Sequence, residues 1–296
     1  MRNLGSLHQF LGITAERTST GLLLHQTKYA ESILARAGMT NCKPLETPSN
    51  PKTNVSTESP TFSNPTLYRQ LVRALQYLTL TRPDIAYAVN RASQAMHIPT
   101  EVQFSALKRI LRYIRGTVHY GLPLTGNSLT LTSYSDSDCA RDQQDRKSTI
   151  GYCNFLGNSL ISWSLKKQST IARSSTEAEY RAIAANTTEI IWLRRLLQEL
   201  DCPQNGSTTL YCDNTSTIAL ANNPVYHART KHIEIDCHFI QECIQNNSIN
   251  VHHISTKDQL ADLFTKSLPN ARFKELTNKL ILSSETISLR GDVSNK

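Results

Sequence analysis

Residues 134–153, YSDSDCARDQQDRKSTIGYC, set apolar, alternating stretches against acids at Asp136, Asp138, Asp142 and Asp145. Alternation with a period of two marks a strand on each side of this acidic knot, so carboxylates gather at the end of a strand. Working outward, LTLTSYSD is the first strand, TIGYCNFL the second, and SLISWSLK a third beyond the Gly157-Asn158 turn. A long helix follows at about 176–200, then the strand TTLYCD and a helix from near Asn214. Another helix around 231–245, the strand INVHHI and a final helix, KDQLADLFTKSL, complete the region. A three-stranded meander continued by alternating helices and strands predicts an α/β fold with a five-stranded mixed sheet flanked by helices.

The preceding part is mainly helical. Tyr29, Ile33, Leu34 and Ala37 follow helical spacing in HQTKYAESILARAGM, and Gly38 is placed to stop that helix. Residues 43–66, KPLETPSNPKTNVSTESPTFSNPT, are rich in Pro, Ser, Thr and Asn and read as a linker. Three helices are expected over 66–116, with Pro83 in the first turn of the second and Gly116 ending the third. The expected organisation is 1–48, a linker at 49–65, a helical connection at 66–125, the mixed-sheet domain at 126–283 and a polar tail at 284–296.

Composition narrows the class of function. A chain of 296 residues with 39% hydrophobic and 19% charged residues is globular and too long for most single cores. No run of about 18 apolar residues occurs and the N-terminus lacks a secretory layout, so a soluble intracellular protein is expected. The seven cysteines are scattered without a C-x-x-C pair, which argues against a disulfide framework or a thiolate zinc site. A net charge of +8 favours a polyanionic partner. The row Lys108, Arg109, Arg112 and Arg115 beside Leu107, Ile110, Leu111 and Ile114 is either a solvated helix face or a phosphate contact.

Four acids stand where chemistry could use them. Asp136 lies near the end of the first strand, as turn former or ligand, and Asp138 shares its face and competes for the same role. Ser174 and Glu177 make a capping box, which gives Glu177 a structural task. Glu179 instead heads the stripe Ile183, Ile190, Leu193 and Leu197 that the helix must bury, where an acid needs a cation, a proton or strong hydrogen bonds. Asp213 ends the strand TTLYCD, as a helix cap or a ligand; Asp262 sits mid-helix with Lys266 one turn later as an ion-pair partner. Parallel strands bring their ends to one sheet edge, and clustered Asp and Glu oxygens suit Mg²⁺ or Mn²⁺. Two such ions roughly 3.5–4 Å apart would serve phosphodiester cleavage.

The order YSDSDCA, SSTEAEYRAI, LYCDN and DQLADLFTK resembles the ribonuclease H domain of copia-type retrotransposon Pol polyproteins. The similarity continues through STIGYCNFLGNSLISWSLKKQ, WLRRLLQEL and NPVYHARTKHIEID, covering nearly all of 130–270. It implies a ribonuclease H-like fold, hydrolysis of the RNA strand of an RNA/DNA hybrid, and metal-binding carboxylates at Asp136, Glu179, Asp213 and Asp262. GSLHQFLGI, KYAESILARAGMTNCKPLETP and YRQLVRALQYLTLTRPDIAYAV resemble the end of the reverse transcriptase region and its connection to the nuclease. The remainder of Pol, including the polymerase palm and integrase, is the implied partner. No Tyr-x-Asp-Asp motif occurs, so the polymerase aspartates are expected outside this chain. The family usually has Trp where Cys139 stands, a loss of packing, and Gly where Arg73 stands.

Secondary sites follow from the same stretches. Arg229 and Lys231 are expected to meet phosphates. His227, His232, Cys237 and His238 cluster, but with no standard zinc spacing. Related nucleases carry a histidine before the last carboxylate, which makes His253 a candidate for assisting water activation or product departure. The competing function is a non-catalytic nucleic-acid-binding remnant of a degenerate element.

Overall fold

A computed structural model describes residues 8–51, 59–126, 128–139, 145–223 and 234–280. The chain divides into two compact units, Met1–Thr125 with Ser267–Lys296, and Gly126–Lys266.

The second unit holds the five-stranded sheet. Its strands are β5 (Leu131–Asp138), β6 (Thr149–Leu156), β7 (Ser159–Lys167), β8 (Thr208–Cys212) and β9 (Ile249–His253), in the order β7-β6-β5-β8-β9. The pairs β5–β6 and β6–β7 are antiparallel, whereas β5–β8 and β8–β9 are parallel, which makes the sheet mixed, as expected. Gly157 supplies the left-handed residue of the β6–β7 turn, at φ 59°. The first strand runs further than the alternating pattern suggested: Asp136 pairs with Gly151 inside the ladder, so it is not a turn residue.

Helix α5 (Ser175–Glu199) covers one face of this sheet. Its stripe of Glu179, Ile183, Ile190, Leu193 and Leu197 is buried, and Ile183, Ile190 and Leu193 meet Leu131, Leu210 and Val251 of the strands in one core. Small residues on β5 let the helix approach. The Asn186 amide donates to Ser133 Oγ at 2.7 Å, and that hydroxyl donates to Asn154 Oδ1 at 2.6 Å. Helices α6 (Thr215–Asn222) and α7 (Glu234–Gln245) extend the layer. The expected last helix shrinks to α8 (Asp262–Thr265), four residues preceded by turns, so Asp262 begins a short helix rather than sitting within a long one.

The first unit is mainly helical and also contains a sheet that hydrophobic periodicity did not reveal. Strands β1 (Gln9–Phe10), β2 (Ile13–Thr18), β3 (Gly21–His25) and β4 (Leu122–Thr125) form an antiparallel sheet in that order. Helices α1 (Thr27–Arg36), α2 (Pro65–Leu78), α3 (Ala86–Ser93) and α4 (Glu101–Gly116) share this unit, together with α9 (Asn270–Leu280). The second unit thus ends at Lys266, short of the 283 expected from sequence; Phe273 of α9 lies edge-on to Tyr113 and Lys274 pairs with Glu46 at 2.8 Å.

At the centre of the first unit, Arg82 is buried in a fork-to-fork pair with Asp84, at 2.9 and 2.8 Å. Its remaining donors reach Thr117, and the Tyr113 hydroxyl donates to Asp84 at 2.7 Å, so every partner of the charge is itself fixed. The basic row of α4 has a task that neither sequence reading anticipated. Arg112 donates to the carbonyl of Lys43, Arg115 to that of Thr40, and Arg109 to the Thr47 hydroxyl, so three of the four cations strap down an extended segment.

Candidate active site

The C-terminal ends of the parallel strands β5 and β8 lie beside the start of α5, and the four acids arrive there from different segments. Asp136 comes from β5, Glu179 from the second turn of α5, Asp213 from the residue after β8, and Asp262 from the first residue of α8. Asp136, Glu179 and Asp262 are buried and Asp213 is half-buried. The helix starts are set by local caps. Ser174 accepts from the Glu177 N–H at 3.1 Å, and Asn214 accepts from the Thr217 N–H at 3.0 Å. Asn214 thus caps α6, and Asp213 is released from the capping role it could have had. Glu177 accepts the N–H of Arg173, one residue before the expected capping-box partner, and pairs with Arg181 at 2.6 Å.

Lys266 joins two of the four carboxylates, and Glu179 and Asp213 form a second pair alongside. The Lys266 ammonium donates to Asp136 Oδ1 at 3.1 Å and to Asp262 Oδ1 at 2.5 Å, while the Thr265 hydroxyl donates to Asp136 Oδ2. Glu179 Oε1 accepts the backbone N–H of Ser137, next in chain to Asp136, at 3.1 Å. Glu179, Cys212 and Asp213 bring one potential ligand atom each within 4.8 Å of one another. Asp213 also accepts the Thr256 hydroxyl at 3.0 Å. Asp138, the competitor, accepts the backbone N–H of Thr149 across the ladder, which gives it a structural task.

The electrostatics describe a site with too much negative charge. Burial, reinforced by Asp136 and Asp213, pushes the Glu179 carboxyl up to about 9, against the opposing pull of the Ser137 N–H and Lys266. Burial and Asp136 also raise Asp262, although Lys266 opposes them. Burial alone would lower the Lys266 ammonium; Asp136 and Asp262 outweigh it and hold the group above its ordinary value. The Cys212 thiol is pushed far up by burial and then by Glu179, so it stays neutral. Among the described residues, one ammonium serves this group of carboxylates, which leaves an oxygen-rich, undercompensated pocket, and that donor set fits a hard divalent cation.

The other expected residues have separate fates. His253 ends β9 as the register partner of Cys212 and is exposed beside the cluster. Arg229 and Lys231 lie outside the described residues, as do His227 and His232; Cys237 of that zinc motif is buried in the core of α7. Asp145 pairs with Lys167 at 3.0 Å. Cys139 and Arg73 are both exposed, so neither replacement costs core packing. Lys266 and Thr265 were the residues sequence reasoning underrated: the i, i+4 spacing pointed Lys266 to Asp262, and nothing local pointed either residue to Asp136.

A sheet with three antiparallel strands followed by two parallel ones, helices on its face and acids at the parallel ends defines a ribonuclease H-like fold. The chain belongs to the Pol polyprotein family of copia-type retrotransposons. It is 50% identical over 276 residues to the retrovirus-related Pol polyprotein from transposon RE1 of Arabidopsis thaliana, covering 93% of this chain and 19% of that protein. It is 51% identical over 193 residues to an uncharacterized mitochondrial protein of the same plant, covering 65% of this chain and 80% of that one. The chain thus spans about a fifth of the length of the Pol polyproteins it matches. Among solved structures, the N-terminal RNase H domain of Rv2228c from Mycobacterium tuberculosis matches at 12% identity and a TM-score of 0.36, over 51% of this chain and 98% of that one. No family model matches the chain. Among the described residues, no helix is long and apolar enough to cross a membrane.

Proposed function

We propose that the second unit is an endoribonuclease that hydrolyses the RNA strand of RNA/DNA hybrids, working as part of a retrotransposon Pol polyprotein. The observation that carries this reading is the meeting of Asp136, Glu179, Asp213 and Asp262, from four separated segments, at the end of two parallel strands.

These four carboxylates would hold two Mg²⁺ or Mn²⁺ ions. When bound, such a pair supplies Lewis-acid stabilisation of the attacking and departing oxygens of a phosphodiester. In the hydrolysis, a water oxygen bonds to phosphorus as the bond to the 3′-oxygen breaks, leaving a 5′-phosphate and a 3′-hydroxyl. The protein's own part is positioning and exclusion. Thr265 and the Ser137 N–H fix the rotamers of Asp136 and Glu179, and the buried Leu263 and Phe264 anchor the short helix that Asp262 begins. His253, exposed at the strand end, would assist water activation or product departure. Arg229 and Lys231 would grip phosphates, and ribose hydroxyls would distinguish the RNA strand. Its site of action is proposed to be intracellular, in a cytoplasmic particle or the nucleus.

The test is incubation of the purified chain with a labelled RNA/DNA hybrid and Mg²⁺. Cleavage that disappears in Asp213→Asn, with hybrid binding retained, supports the nuclease. Hybrid binding without cleavage in the wild-type chain overturns it in favour of a binding remnant.

A further inference from the structure

The Lys266 side chain stands between Asp136 and Asp262, its nitrogen in hydrogen-bonding reach of one oxygen of each. The second oxygen of Asp136 is already taken by the Thr265 hydroxyl. A divalent ion held by Asp136 and Asp262 would compete for the same ground between their oxygens that the ammonium engages. Like charges cannot share that ground, and the lysine side chain is 27% exposed, so a path outward exists.

We propose that Lys266 is a resident counter-cation of the carboxylate cluster, which divalent metal must displace in order to bind. The proposal rests on the nuclease reading and adds an exchange to it. The ammonium offsets the negative charge that Asp136 and Asp262 place side by side in a buried setting. On loading, the side chain swings to the rim and leaves both oxygens to the ion. Lys266 is thus a positioning residue that sets the metal concentration at which the site assembles.

Calorimetric titration with Mn²⁺ of the whole chain, as wild type, Lys266→Met and Lys266→Arg, tests this. Removing the charge while keeping the stem should tighten binding at least about tenfold, and arginine, which retains the competing charge, should stay close to wild type. A chain labelled with ¹⁵N at lysine gives a second measurement that needs no variant. The Lys266 ammonium resonance should move to the position of a free lysine as Mg²⁺ saturates the site. Equal or weaker Mn²⁺ affinity in Lys266→Met, or an ammonium signal unmoved at saturation, overturns the exchange while leaving the nuclease reading intact. If neither wild type nor Lys266→Met takes up the ion at millimolar concentration, the nuclease reading falls together with it.

Discussion

Glu179 Oε1 accepts the backbone N–H of Ser137 at 3.1 Å, tying the head of α5 to β5 one residue beyond Asp136. This bond positions the carboxyl but cannot keep it charged, because burial and the fields of Asp136 and Asp213 hold its pKa near 9, against an ordinary 4.5. An acid raised in this way binds its proton more tightly in the folded chain than in the unfolded one. The stability that Glu179 contributes is therefore complete below its ordinary value and is lost as pH rises toward the folded value. In EDTA the melting temperature should fall between about pH 5 and 9, and saturating Mg²⁺ should flatten the decline. Glu179→Gln should flatten it too, while abolishing cleavage. An unchanged pH slope in that variant would show that Glu179 is not the group responsible.

Gly151 lies opposite Asp136 in the ladder, and α8 presses directly on it. A Cβ there would come within 2.6 Å of Thr265 Cγ2 and 2.8 Å of Phe264 Cβ. Gly151→Ala should lift α8, carrying Asp262 and Lys266 away from Asp136, at a cost of about 1–3 kcal/mol. Urea unfolding and Mn²⁺ titration would report the two effects; a variant as stable and as metal-avid as wild type would mean the contact is soft.

Asp136 and Asp138 share a strand face but have different neighbours. Asp138 accepts the Thr149 N–H, and an amide oxygen can do the same, so Asp138→Asn should cost about 1 kcal/mol or less and leave metal affinity nearly unchanged. Asp136→Asn should remove metal binding and cleavage together. The reverse ranking in a calorimetric titration would reassign the ligand.

Arg82 and Asp84 are fully buried, and each is the other's main compensation. Asp84→Ala leaves an uncompensated guanidinium in the core of the first unit and should lower stability by about 3–5 kcal/mol. Chemical denaturation followed by far-ultraviolet circular dichroism measures this, and a loss below 1 kcal/mol, the scale of an exposed pair, would mean that water reaches the charge.

Much of the second unit is legible in the chain itself. Alternation from Leu131 onward, the Gly157 turn and the apolar stripe behind Glu179 each depend on neighbours a few positions away, which sequence displays directly. Glu179 was separable from Glu177 on the same ground, since one residue lies on the stripe and the other near the helix start. In the small sheet of the first unit the β1–β2–β3 pairings are local, but β4 joins β3 only after an excursion through four helices, a pairing that local spacing cannot display.

In the second unit the succession of strands, the mixed sheet and the candidate acids were thus set by local periodicity, capping and motif order. Tertiary structure alone decided which acid of the 136/138 pair faces the cluster, that Asn214 frees Asp213 from capping, and that the α4 arginines act as a strap. It also decided that Lys266 reaches Asp136, 130 residues away in sequence. The physical reason is common to all of these. A side chain's hydrogen bonds and ion pairs are set by whichever surface packs against it, and that surface comes from parts of the chain to which local spacing carries no information.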